Sequence, residues 1–374
     1  MRRVLAVVFL LAAALVPRAA TAHPGTGLVV AADGTVYFVI MGRSVIMRIG
    51  RDARLSVLVE DERLGLPHHL ALDGAGNLYT ISDAERVLWR VSPGGQITQV
   101  MRGSIGTWGD PFAMDAAGAV YSITEQERSR IVKVSPAGAV TPFAGGPVGY
   151  ADGPPGQARF GDLHFGAMHI GPGGLLHVTD RTRLRALGPD GSVSTVPTVG
   201  VELKMAMGMA QAGADLLVAD FLARRVVRVG SAGASIVPGS DGLLASGVAV
   251  GPDGAVYVLD NPPMATCVWR VSDGMRSKYA CVRLRPAGAL YTVFGLLAVL
   301  ALAVIIRPPP RAATWIIAVL VLGLLTAVSL GIATSARLEG FRPVMLGLFL
   351  AAVVIPAWER IARWRGAGGR RAAQ

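Results

Sequence analysis

Leu70-Ala-Leu-Asp-Gly-Ala-Gly-Asn-Leu-Tyr79 reads as a short apolar strand, a Gly-containing turn, and a second apolar strand. The same pattern recurs as Leu28-Val-Val-Ala-Ala-Asp-Gly-Thr-Val-Tyr37, Phe112-Ala-Met-Asp-Ala-Ala-Gly-Ala-Val-Tyr121 and Met168-His-Ile-Gly-Pro-Gly-Gly-Leu-Leu-His177. A degraded copy spans Gly208 to Leu217, and a sixth is Val248-Ala-Val-Gly-Pro-Asp-Gly-Ala-Val-Tyr257. The turn position falls at Gly34, Gly76, Gly118, Gly174, Ala214 and Gly254, at spacings of 42, 42, 56, 40 and 40. A third strand follows each pair, as in Val87-Leu-Trp-Arg-Val91, and then a Gly turn and a fourth, as in Pro93 to Val100. Four short strands per ~40–45 residues are the mark of a propeller blade. One such sheet cannot bury both faces alone, so six of them must stack around an axis.

These units resemble NHL repeats, which form six-bladed propellers. The linker Phe143 to Phe160, reading Phe-Ala-Gly-Gly-Pro-Val-Gly-Tyr-Ala-Asp-Gly-Pro-Pro-Gly-Gln-Ala-Arg-Phe, is similar to that family's blade connector and accounts for the spacing of 56. The chain departs from the family in lacking Asn-x-Arg after the second strand; Ala84-Glu-Arg86, Arg181-Thr-Arg183 and Leu222-Ala-Arg224 stand there instead. Asp180, Asp220 and Asp260 follow the second strand, where the family carries a turn-stabilising Asp, and are read as structural. The repeats begin on an innermost strand near Gly27 and end on an outermost strand near Val282. No strand is left over to interlock the first and last blades, so a weak seam is expected between them.

The two ends of the chain differ from this domain. Arg2 and Arg3, the apolar Val4 to Val16 and the small Ala20-Thr21-Ala22 have the form of a secretory signal, so residues 1–22 are expected to be removed and His23 to begin the mature chain. The propeller is assigned to residues 23–283, a transmembrane helical anchor to 284–360 and a basic cytoplasmic tail to 361–374. Ala287 to Ile306 and Ala312 to Ala333 are long enough to span a bilayer, and Val344 to Trp358 is a shorter third run. The fold class expected is therefore all-β, a six-bladed β-propeller followed by two or three transmembrane α-helices. With the propeller outside, the tail arginines Arg360, Arg363, Arg365, Arg370 and Arg371 fall inside, as the positive-inside bias requires. None of the apolar runs carries an ionisable residue in its interior, which argues against a transport path.

Charge supports the same division. The net charge is +11, of which residues 1–22 carry +3 and residues from 283 onward +9, leaving residues 23–282 at −1. The basicity belongs to the membrane segments, and a nucleic-acid partner is excluded. Three Lys against 33 Arg fit a GC-rich bacterial genome. The expected location is thus a bacterial inner membrane, with the propeller on the periplasmic side and the C-terminus in the cytoplasm. In that oxidising setting Cys267 and Cys281 flank the Asp273-Gly274 turn signal and fall nearly opposite on adjacent strands, so a disulfide is expected.

Propellers bind ligands where the loops leading into the innermost strands surround the channel mouth. His23, the pair His68 and His69, and His164 all fall in these loops, with Trp108 and Asp110 in blade 3, Lys204 in blade 5 and Ser246 in blade 6. His23, His69 and His164 are candidate ligands for Zn²⁺ or another divalent ion, with Asp110 as a carboxylate ligand or base. An amidating lyase with an NHL-type propeller is similar in using channel histidines for zinc, although its motifs do not map onto this chain. A calcium-dependent lactonase is rejected for want of its Glu, Asn and Asp, and a serine hydrolase for want of a Gly-x-Ser-x-Gly elbow. Trp108, Lys204 and Ser246 are candidate ligand contacts, and Trp108, Phe112, Tyr150 and Phe160, read as exposed, offer aromatic contacts, a role that packing between blades explains equally well. His169 and His177 are expected to pack or face outward. The reading is a membrane-anchored binding module for a protein, glycan or small envelope ligand; the alternative is a metal-dependent lyase or hydrolase.

Overall fold

The turn Asp73 to Asn77 shows how each blade is started. Asp73 Oδ1 accepts the N–H groups of Ala75 and Asn77 at 2.9 and 2.8 Å. The Gly76 N–H bonds the Asp73 carbonyl at 3.0 Å with Gly76 at φ +82°. This is a tight turn closed by a residue in the left-handed region, which glycine adopts without steric cost. Asp115 caps the equivalent turn of blade 3 in the same way.

In the computed structural model, residues 26–283 are described apart from residues 41, 83–85, 104, 107–108, 125–126 and 263–264. The expected signal sequence, His23, Trp108 and the three apolar C-terminal runs lie outside the described residues. Among the described residues no helix is long and apolar enough to cross a membrane.

Six antiparallel sheets of four strands are present, each composed of consecutive strands. Blade 1 runs from Leu28–Val30 through Val36–Val39 and Val45–Ile49 to Leu55–Glu60. The innermost strands of blades 2 to 6 are Ala71–Leu72, Phe112–Met114, Met168–Ile170, Ala206–Ala212 and Ala245–Val250. The outermost strands are Ile97–Arg102, Val140–Gly145, Val193–Val196, Gly233–Ile236 and Met275–Arg283. The protein is a six-bladed β-propeller. In blade 5 the turn glycine is Gly213 at φ +63°, one residue before the expected Ala214. Ala212 pairs directly with Asp215, so this hairpin closes over two residues and shifts the alignment by one.

The core sits between blades. Because side chains alternate along a strand, each blade sends one row to each neighbour, and an apolar cluster fills every gap. Ile81 and Leu88 meet Phe112 and Val120 between blades 2 and 3. Leu184 meets Leu203, Leu216 and Val227 between blades 4 and 5. Phe112 and Phe160, expected as exposed aromatics, are buried in such clusters, because the strand and connector that carry them turn these rings into the gaps. Tyr150 does remain exposed, with the Arg183 guanidinium 4.0 Å from its ring centre.

Among the described residues no strand is exchanged at the closure. The seam is filled instead by Leu28, Val36 and Phe38 of blade 1 against Tyr257, Leu259 and Val268 of blade 6. The two backbones come so close that a Cβ on Gly247 would meet the Thr26 carbonyl oxygen. The last two strands are joined by a disulfide between Cys267 and Cys281, which are register partners 4.1 Å apart at Cα.

The connector between blades 3 and 4 is held by one buried cation. Arg185, 1% exposed, donates to Asp180 Oδ2 at 2.9 Å, Asp152 Oδ1 at 2.8 Å and the carbonyls of Ala151 and Arg159 at 2.8 and 3.1 Å. Its guanidinium also lies 5.0 Å from the centre of the Phe160 ring. Bridges Ala151 to Arg159 and Gly153 to Val193 lay the connector along the outer edge of blade 4.

Candidate functional site at the channel mouth

The mouth loops are fixed from below by the carboxylates at the ends of the second strands. Asp220 Oδ1 accepts the N–H groups of Lys204 and Met205 at 3.1 and 2.8 Å. Asp260 Oδ1 accepts that of Leu244 at 2.8 Å, and Asp180 Oδ1 that of Gly161 at 3.0 Å. All three carboxylates are buried. They act on the loops of blades 4, 5 and 6, which gives them a positioning task at the mouth.

Blades 1 to 4 contribute a connected wall. The Thr26 and Gly27 N–H groups both bond the His68 carbonyl, at 2.9 and 2.7 Å, tying blade 1 to blade 2. The Thr26 hydroxyl donates to the same carbonyl at 3.3 Å and lies 2.6 Å from His69 Nδ1. Thr26 thereby engages the Nδ1 side of the His69 ring, and Nε2 is the nitrogen turned away from it. His69 Nε2 is buried and makes no hydrogen bond. The His69 pKa is lowered from 6.5 to about 4, by burial above all and in smaller part by His164, against the opposing pull of the Gly109 backbone and Asp110. The Gly109 carbonyl is thus near enough to favour protonation without completing a hydrogen bond. At neutral pH this ring is uncharged.

Blade 3 meets blade 4 through Asp110 and His164. The Asp110 carboxylate is fully buried, and its Oδ1 lies 2.5 Å from His164 Nδ1, whose side chain is 12% exposed. The Phe165 N–H bonds the Gly109 carbonyl at 3.0 Å, with Phe165 itself at φ +61°. A Cβ on Gly109 would meet the Phe165 ring and His164, so glycine is required for the two loops to touch. A buried carboxylate on Nδ1 fixes the ring's orientation and leaves Nε2 as the nitrogen for a ligand. Asp110 therefore stands behind His164 as a positioning residue. The role expected from the sequence, a base or ligand facing the channel, does not fit a carboxylate so enclosed.

The remaining candidates are placed differently. Lys204 is exposed on the blade 5 rim, with its ammonium 2.7 Å from Glu202. Ser246 is fully buried in blade 6, bonding the Leu259 carbonyl at 3.4 Å and accepting from Asn261 Nδ2 at 2.6 Å. Its hydroxyl is committed inside the blade rather than offered to the channel. Among the described residues no three His, Cys, Asp or Glu side chains gather as a metal-holding group. His69 and His164 are electrostatically coupled to each other and to Asp110. In the sequence His68, His69 and His164 stand out by their place before the innermost strands, whereas Thr26 is marked only by its register beside His68 and His69 once blades 1 and 2 are aligned.

Compared with known protein families and with curated proteins, the sequence finds no match. Among solved structures it is similar to selenomethionine-substituted virginiamycin B lyase from Staphylococcus aureus, at 12% identity over 71% of this chain and 87% of that one, with a TM-score of 0.47. A chain of a nidogen/laminin complex is similar at 14% identity over 67% and 92%, with a TM-score of 0.49. A Bacteroides thetaiotaomicron protein of unknown function is similar at 12% identity over 64% and 68%, with a TM-score of 0.49. Identities of this size say nothing of activity.

Proposed function

We propose that this chain is an NHL-type propeller tethered to a bacterial envelope membrane, acting there as a binding module whose working surface is the channel mouth on blades 1 to 4. One observation carries the reading: two imidazoles, His69 in the blade 2 loop and His164 in the blade 4 loop, each have the Nδ1 nitrogen engaged by the protein at 2.6 and 2.5 Å, which leaves Nε2 for a bound group. Such an arrangement suits a ligand that offers hydrogen-bond donors, a peptide or glycan edge among them. The secretory signal, the apolar C-terminal runs and the charge distribution support the envelope location.

A second reading is favoured by the Asp110–His164 pair. A carboxylate on the far nitrogen is the usual outer partner of a metal-bound histidine. His69, neutral at pH 7, fits the same task, so Zn²⁺ or a similar ion held by His69 and His164 would give a metal-dependent lyase or hydrolase. His23, the third ligand expected from the sequence, would complete the set. When bound, the ion would polarise a substrate carbonyl or activate water, while Asp110 keeps His164 in its ligating orientation.

Native mass spectrometry of the full-length protein released from membranes into detergent separates these readings. A bound organic or protein species that is lost in His69→Ala/His164→Ala supports the binding module, and a metal adduct lost in the same variant supports the second reading. Adducts unchanged by the double variant would contradict both.

A further inference from the structure

His169 and His177 are register partners on the first two strands of blade 4. Their neighbours Met168, Ile170, Leu176 and Val178 all pack toward blade 3. Alternation along the strands therefore turns both imidazoles toward blade 5. In blade 5, Ala210 and Ala212 pack toward blade 6, so Gln211 between them is turned back toward blade 4. Three polar side chains thus enter one interblade gap, near the hairpin turns and away from the mouth.

Each brings a buried atom with no hydrogen-bond partner: His169 Nε2, His177 Nδ1 and Gln211 Oε1. The Gln211 amide cannot turn to relieve this. Its Nε2 donates to the Gly213 and Asp215 carbonyls at 2.9 and 3.1 Å, and a flipped amide would set oxygen against oxygen. Gly171 opens the space between them. A Cβ there would lie 3.1 Å from Gln211 Oε1 and 3.7 Å from His177 Cε1, so both side chains border one small cradle that glycine leaves unfilled. Its φ of −85° is ordinary backbone, so the conformation does not require glycine.

We infer that His169, His177 and Gln211 form a second site, for a divalent transition-metal ion of the imidazole-preferring kind, between blades 4 and 5. Two imidazole nitrogens and an amide oxygen are the neutral, borderline donor set that Zn²⁺, Cu²⁺ and Ni²⁺ accept. Burial keeps the rings uncharged, with His169 lowered from 6.5 to about 4, and an uncharged ring is the form that ligates. An ion at this place would clamp two adjacent blades through their innermost strands. The site stands independently of the reading given to the mouth.

The test is calorimetric titration of metal-stripped full-length protein with Zn²⁺, in a His69→Ala/His164→Ala background that silences the mouth. One equivalent of Zn²⁺ is expected to bind, with a rise in melting temperature. His177→Phe should weaken binding by more than the ~100-fold that loss of an outer-shell partner costs. Gly171→Ala keeps all three ligands and places a methyl in the cradle, so it should weaken binding while the circular dichroism spectrum stays unchanged. It decides the matter if His177→Phe fails to fold. Absence of Zn²⁺ uptake in the background, or uptake that Gly171→Ala and a folded His177→Phe both leave intact, overturns the proposal.

Discussion

Replacing Arg185 with Met removes the buried cation that ties the blade 3–4 connector to blade 4. The side chain keeps much of its length, so the apolar stem still fills space beside Phe160, while four hydrogen bonds are lost. The main cost falls on Asp180, which is 0% exposed and would retain only the Gly161 N–H. Breaking a buried pair in this way costs about 3–5 kcal/mol. Asp152 is half-exposed and keeps its bonds to Thr195, so it adds little. The Asp180 carboxyl is already pushed up by burial, despite the opposing pull of Arg185. A raised carboxylate favours folding when protonated and loses that advantage as pH rises through its folded pKa. Without Arg185 the pKa rises further, so the penalty should be full at pH 7 and shrink on acidification. Urea unfolding of the full-length protein at several pH values measures this. Adding Asp180→Asn to Arg185→Met should recover part of the loss, since removing both charges is far cheaper than removing one. A penalty below about 1 kcal/mol, or a double variant whose loss is the sum of the singles, would refute the reasoning.

Two further outcomes are expected. Cys267→Ser opens a 14-residue separation, which by chain entropy is worth about 3 kcal/mol, or roughly 6–12 °C in Tm; thermal melts should show this loss exceeding that caused by deleting residues 284–374. His69, held at about 4 in the folded protein against 6.5 unfolded, contributes stability above pH 6.5 that is lost as pH falls toward 4, in total about 3 kcal/mol. His69→Gln should therefore flatten the pH dependence of Tm in that window, and parallel curves for the two proteins would count against the buried neutral ring.

Features that repeat or sit close in sequence were legible. The Gly turns recur at blade spacing because each blade solves the same hairpin problem, and they carried the six-bladed fold. The cysteines flank Asp273-Gly274 closely enough for the hairpin to bring them near each other, and the bulge between Val268 and Trp269 supplies the one-residue shift that sets them directly opposite. Features made by distant segments were not. Arg185 reads as an ordinary residue of the strand Arg183–Leu187, and its burial depends on a connector more than 25 residues earlier folding over it. Ser246 reads as a mouth residue, yet blade 6 turns its hydroxyl inward to Asn261. The pairing of His169 with His177 follows from the hairpin between them, whereas Gln211 comes from the next blade and carries no local signal. The turn at Gly213 was displaced because a two-residue hairpin lacks the Asp that marks the longer turns.

The central claim, that the channel mouth is the working surface, is tested most directly by photo-crosslinking in the native membrane. A crosslinking amino acid replaces either Lys204, exposed on the mouth rim, or Ala75, exposed in the turn at the opposite end of blade 2. The account predicts an adduct from position 204 that disappears in His164→Ala, and none from position 75. Adducts from position 75 alone, or from position 204 regardless of His164, would contradict it.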